Sequence, residues 1–196
     1  MSEVFILEKN CTKEEFIRHA VDLLTKNKII SLLSDTIFGI LASYSIENAE
    51  KLRRIKGRTE EKPFLVVIPE NYELQWLADL TDIQPLQKDF MAKKWPGRHT
   101  FILPRQKKAV YPDGPTIAIR KPCKTDNPVF HAILQQAGPL LAPSLNKTSE
   151  PVLDNLKDMI DSFGGILDGI FFQESIHHTA ASHIWDLTGA DIIRIR

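Results

Sequence analysis

The chain has 196 residues, with 25 Lys plus Arg against 25 Asp plus Glu, so its formal net charge is zero; 43% of it is hydrophobic and 26% charged. This composition supports a buried core and excludes disorder, and the length fits one domain or at most two small ones. Balanced charge gives no whole-molecule attraction to nucleic acid or anionic lipid, so any polyanion site must be a local cluster of Lys and Arg.

In chain order, Val4 to Leu7 reads as a short strand, and Thr12-x-x-Glu15 as a capping box that opens a helix carrying Phe16, Ile17, Ala20, Val21 and Leu24 on one face. Ile29 to Leu33 is an apolar run ending at Ser34-Asp35, the pattern of a buried strand that delivers polar side chains to its carboxyl end. Ser45 caps a predicted helix to about Ile55; the polar loop Lys56 to Pro63 comes next, then a buried strand at Phe64 to Ile68. Helical patterns are expected around Tyr72 to Leu77 and Pro85 to Lys94. Trp95-Pro96-Gly97 then breaks the chain before a strand at Thr100 to Leu103. Thr116 to Ile119 reads as a strand, Pro128 to Ala137 as a helix, Leu140 to Ala142 as a strand and Leu153 to Phe163 as a helix. Strands at Ser182 to Leu187 and Ile192 to Ile195 close the chain. Alternating elements without a repeat or linker predict a single α/β domain over residues 1–196, with a twisted mixed sheet, because several connections are too short for helical crossovers.

Cys11 and Cys123 show no metal-ligand spacing and no C-x-x-C, which fits a reducing compartment, and the cytoplasm is the expected location. The opening MSEVFILEKN has an early acidic residue and no apolar stretch long enough for a signal peptide, so none is expected, and no segment approaches the roughly 20 apolar residues of a membrane span. His177, His178 and His183 lack a ligand pattern, so no metal set from the protein is predicted and they read as surface or packing residues. Neither G-x-x-x-x-G-K-[ST] nor G-x-G-x-x-G occurs, nor a G-x-S-x-G elbow. Trp95 and Phe101 read as core anchors.

Four polar sites remain as candidate chemistry. Lys56-Gly57-Arg58-Thr59-Glu60-Glu61-Lys62-Pro63 carries three cations, a combination of forks and point charges suited to phosphate oxygens; the alternative is a solvated charged loop. Pro143 to Ser149 comes after a short strand, so Ser144 and Asn146 emerge at a sheet end, where open α/β sheets bind ligands; the alternative is a turn with a helix cap. Arg120 comes after the strand at 116–119 and suits a carboxylate or phosphate, or else pairs with a local acid such as Asp126. Ser34, Asp35 and Thr36 end another strand, or form an N-cap cluster for the next element.

Taken together and in order, SDTIFGI at 34–40, KGRTEEKPFLVVI at 56–68, WPGRHTFIL at 95–103, IRKP at 119–122, APSLN at 142–146 and SHIWDLTG at 182–189 resemble the YrdC-like family, best known for threonylcarbamoyl-AMP synthases. Six ordered blocks from about residue 20 onward are far more specific than any one of them. The resemblance implies a YrdC-like fold, a twisted α/β sheet with a concave basic cavity, in its short single-domain form. It implies catalytic roles for Lys56 and Arg58. ATP would be bound by Arg58, Lys62, Thr116, Ser144, Asn146 and Arg194, and threonine by Ser34, Arg120 and Ser182, with Arg120 on its carboxylate. The implied reaction joins L-threonine, bicarbonate and ATP with Mg²⁺ into threonylcarbamoyl-AMP and pyrophosphate, for modification of tRNA. Implied partners are these small molecules, with tRNA or double-stranded RNA and the downstream tRNA threonylcarbamoyl transferase as further candidates, and no membrane.

The sequence departs from the family pattern at Leu33 to Gly39, where P-T-E-T-V-Y-G is usual, at Arg98-His99 and Ser149, at Ser182-His183, and at Leu145, which is expected to narrow the cavity. Two alternatives remain: a non-catalytic double-stranded RNA or tRNA module using the same concavity, and a paralogue that carbamoylates and adenylates another amine.

Overall fold

The computed structural model describes residues 2–57, 63–112, 114–174 and 180–196. Strand β1 (Glu3–Ile6) leads into helix α1 (Lys13–Thr25). There the capping box forms: the Thr12 hydroxyl accepts from the Glu15 N–H, and the Glu15 carboxylate accepts from the Thr12 N–H. These bonds satisfy donors that a helix start leaves open. Strand β2 (Ile30–Leu33) is buried along its whole length, and a tight turn returns the chain as β3 (Phe38–Ser43), antiparallel, with Leu33 opposite Phe38. Helix α2 (Ile46–Lys56) begins on Ser45, whose side chain accepts from the Asn48 N–H, and ends at Gly57 with φ of 59°. Only a residue without Cβ enters that left-handed conformation without strain.

The chain continues through β4 (Val66–Val67), a 3₁₀ turn at Leu74–Trp76, α3 (Pro85–Lys94), β5 (His99–Pro104), β6 (Thr116–Arg120), α4 (Pro128–Ala137) and β7 (Leu140–Leu141). Then come α5 (Leu156–Phe163), β8 (Gly169–Phe172), β9 (His183–Asp186) and β10 (Ile193–Arg194). Among the described residues the strands form one mixed sheet in the order β1-β8-β2-β3-β7-β4-β6-β5-β9-β10. The β1/β8, β8/β2, β4/β6 and β5/β9 pairs are parallel, and the others are antiparallel.

Several expectations need adjustment. The strand expected at 64–68 pairs only at Val66–Val67, the helix expected around 72–77 is a single 3₁₀ turn, and the helix expected from Leu153 starts three residues later on an Asn155 cap. Strands β3 and β8 lie outside the predicted elements: β3 pairs with β2 across a tight turn and with β7, and β8 pairs with the distant β1 and β2.

Among the described residues two helix layers leave part of one sheet face uncovered, and that gap positions the site. Phe16, Ala20 and Leu24 of α1, with Phe130, Ile133 and Leu134 of α4, pack on Ile30, Leu32, Leu41, Leu140 and Phe171. Each of the Leu, Ile and Phe side chains among them contributes about 1.5–3 kcal/mol when fully buried. On the opposite face, α2, α3 and α5 cover Ile40, Val66, Phe101, Leu103, Ile117 and Ile119. Period-two alternation therefore turns Thr100 and Ile102 of β5, and Thr116, Ala118 and Arg120 of β6, to the face of α1 and α4, beyond the part those helices cover.

Candidate active site

A cavity of about 740 Å³ opens over this bare end of the sheet, a size within the range of small-molecule sites. Ser34, Thr116, Arg120, Ser144, Asn146 and Ser182 all line it. Six of the residues expected at the site, drawn from separate stretches of the chain, thus share one hollow. A second groove, of about 520 Å³ over Trp95 and Lys121, is lined by none of them. Arg58 and Lys62 lie outside the described residues, as do His177 and His178.

At one wall the chain after β7 is drawn tightly against β3. Ile40 N–H donates to the Pro143 carbonyl at 2.8 Å, and Gly39 bridges Ser144. A Cβ on Gly39 would stand 3.1 Å from the Pro143 carbonyl oxygen, so glycine permits this approach. Ser144 Oγ donates to Asn146 Oδ1 at 2.7 Å, which fixes both side chains of the S-x-N pair.

Lys56 departs from its expected place. It is the last residue of α2 rather than a loop cation, it is 3% exposed, and it does not line the cavity. Its Nζ donates to the Ser144 carbonyl at 2.7 Å, to the Asn146 carbonyl at 2.6 Å and to Asn146 Oδ1. The ammonium thus meets the S-x-N loop from behind. Leu145 likewise turns away: it is fully buried in the core and does not narrow the cavity.

The other wall carries the cations. Arg120, at the end of β6, is 4% exposed, and its partner is Asp35, 2.9 Å from Nη2, not Asp126, which pairs with Arg98 at 3.2 Å. Burial pushes the Asp35 carboxyl above the usual carboxylate range, with Arg120 pulling against it. Ser34 holds its own turn: its hydroxyl donates to the Ile37 carbonyl at 2.8 Å and accepts from the Thr36 and Ile37 N–H groups. It caps no helix, because β3 comes next. Ser182 Oγ meets Thr100 Oγ1 at 2.9 Å.

Arg194 does not reach the cavity. It donates to His183 Nδ1 at 2.9 Å and lies over the Trp185 ring, 5.8 Å from its centroid. The closing segment supplies Arg196 instead, which lines the cavity and donates from Nε to the Ser182 carbonyl at 3.2 Å. Arg196 and Thr100 are cavity residues that the sequence motifs did not single out; the available signal was the T-F-I-L alternation of β5 and the second arginine of I-R-I-R. Trp95 and Phe101 are core anchors, with ring centroids 4.8 Å apart. Among the described residues no group of three potential metal-ligating side chains stands together, and no helix is long and apolar enough to cross a membrane.

Chemically, this arrangement joins two guanidiniums at one end of a hollow to hydroxyl and amide groups at the other, over an apolar floor. It suits a ligand with an anionic end and a large polar body.

The chain matches the Sua5_yciO_yrdC family, described as telomere recombination, over residues 22–196. It is 30% identical over 177 residues to a Bacillus subtilis protein named threonylcarbamoyl-AMP synthase, a match covering 85% of this chain and 49% of that protein. Its fold is similar to that of P. abyssi Sua5 complexed with L-threonine, with a TM-score of 0.85, 21% identity and coverage of 100% of this chain and 57% of that one. It is also similar to E. coli YciO, with a TM-score of 0.82, 21% identity and coverage of 100% and 95%. The chain therefore spans about half the length of the B. subtilis relative and nearly all of YciO. On the match across residues 22–196, this chain belongs to the Sua5_yciO_yrdC family.

Proposed function

We propose that this chain makes threonylcarbamoyl-AMP and pyrophosphate from L-threonine, bicarbonate and ATP. The observation that carries this reading is the shared cavity, which Ser34, Arg120 and Ser182 line together with Thr116, Ser144 and Asn146. The name of the B. subtilis relative supports it.

In this reaction the threonine amine joins bicarbonate to give an N-carboxylate with loss of water. A carboxylate oxygen then attacks the α-phosphorus of ATP, the bond from that phosphorus to the bridging oxygen breaks, and pyrophosphate leaves. Nucleophile and leaving group are both anionic, so the protein's contribution is alignment and fixed positive charge rather than a nucleophile of its own. Arg120 takes the threonine carboxylate, with Ser34 and Ser182 beside it. Ser144 and Asn146 contact the nucleotide, and Lys56 keeps their loop in a single geometry from behind. Arg58 and Lys62 are assigned to the phosphates by the family resemblance. ATP would enter as its Mg²⁺ complex, in which the metal would neutralise phosphate charge. The labile product is passed to a tRNA-modifying transferase.

The test is pyrophosphate release by the purified chain with ATP and Mg²⁺. Release that requires L-threonine and bicarbonate together supports the reading. Release with another amine in place of threonine, or RNA affinity without nucleotide turnover, rejects it.

A further inference from the structure

Asp35 takes no part in the proposed reaction, yet it sits inside the amino-acid wall of the cavity. Its neighbours Ser34 and Thr36 both line the hollow, whereas its own side chain is 0% exposed and lies 2.9 Å from Nη2 of Arg120. Asp35 Oδ1 stands within hydrogen-bonding distance of Nη2, and among the described residues Arg120 Nε meets no acceptor. The backbone here is held firmly. Asn127 Nδ2 donates to the Leu33 and Ser34 carbonyls at 3.0 and 3.1 Å.

A guanidinium carries five donors in one plane. A carboxylate fixed against one nitrogen sets that plane and leaves donors for a second anion. Arg120 lines the cavity, so the second anion arrives from the cavity side. We propose that Asp35 is a positioning residue that holds the Arg120 guanidinium so that its remaining donors face the carboxylate of the amino-acid substrate. The identity of that anion rests on the proposed synthase function; the geometry of the pair does not. The other charged groups facing Asp35 are Arg98 and Asp126, which pair with each other, while Arg196 faces Arg120. Because burial raises the Asp35 carboxyl, acid neutralises it at a higher pH than an exposed carboxyl, and Arg120, still charged, then loses its anchor.

Asp35→Asn keeps the shape and removes the charge, and Asp35→Glu keeps the charge but moves it. In Asp35→Asn the apparent KM for threonine is expected to rise about tenfold while that for ATP stays within about twofold. The wild-type rise in threonine KM toward acid pH is expected to vanish in Asp35→Asn and to persist in Asp35→Glu. Nitrogen-15 spectra of the full chain, with Arg120 assigned through Arg120→Lys, should show a restrained guanidinium in the wild type and a freely rotating one in folded Asp35→Asn. An unchanged threonine KM with an unchanged pH profile overturns the proposal, as does a guanidinium still restrained in Asp35→Asn. If the wild type releases no pyrophosphate with threonine, the proposed reaction fails, and sodium acetate as carboxylate probe then decides the role of Asp35. An acetate-induced shift of the Arg120 signal that Asp35→Asn abolishes upholds it, and no shift in the wild type overturns it.

Discussion

The ammonium of Lys56 and the carbonyl of Ser144 meet at 2.7 Å, and this contact ties the end of α2 to the far wall of the cavity. A buried cation held by two carbonyls and an amide oxygen neutralises little in the cavity itself. It fixes the loop that presents the Ser144 hydroxyl and the Asn146 amide, so a change at Lys56 acts through that loop.

Lys56→Met, which fills the same space without the donors, should therefore cost stability as well as activity. Leaving the Ser144 and Asn146 carbonyls without this donor should lower the unfolding free energy by about 3 kcal/mol. A urea titration checks this, with an unchanged slope showing that the native fold is retained. Pyrophosphate release should fall by about tenfold or more, since misplacement of about 1 Å is costly at a reacting centre.

Asn127 joins helix start to cavity wall. Its Oδ1 accepts from the Val129 and Phe130 N–H groups as the cap of α4, and its Nδ2 secures the strand end at Leu33 and Ser34. Asn127→Ala removes both functions, and a loss of about 2 kcal/mol in denaturant unfolding is expected. The apparent threonine KM should rise with it. Asn127→Asp keeps the cap but not the two donated bonds, so it should recover part of the stability and none of the affinity.

The two arginines of the closing segment separate by placement. Arg196 lines the cavity beside Ser182, and Arg194 lies over Trp185. Arg196→Gln should raise a substrate KM by about tenfold, the scale of one charge-assisted contact, and should do so more than Arg194→Gln. Steady-state kinetics with ATP and threonine varied in turn measures this, and it identifies which substrate Arg196 meets.

His99 gives the fold a pH dependence. Its Nδ1 accepts from Trp185 Nε1 at 3.1 Å, so that nitrogen carries no proton. Burial, with Lys94, His183 and Arg194 adding to it, holds the His99 pKa below its ordinary value of 6.5. A depressed histidine favours the neutral ring in the folded state. The stability it contributes is complete above the unfolded pKa and is lost as pH falls through the interval below it. The wild-type melting temperature should drop between about pH 7 and about pH 5 more steeply than that of His99→Asn, which keeps an acceptor but cannot titrate there. Trp185 fluorescence should report the same transition.

The sequence by itself determined the features that depend on neighbours along the chain. Thr12 with Glu15, Ser45, and Pro128 mark helix starts, because a cap and a fixed φ are local properties. Apolar runs located β2 and β6, and six ordered blocks of sequence marked the family. Only the tertiary structure decided what depends on pairing. It threaded β8 between β1 and β2, gave Arg120 the acid at the end of β2 rather than the nearer Asp126, and turned Lys56 and Leu145 away from the cavity. It also put Arg196, not Arg194, at the cavity rim. The physical reason is that sheet register and helix coverage set which face a side chain occupies, and both are fixed by contacts between segments that no short stretch of sequence encodes.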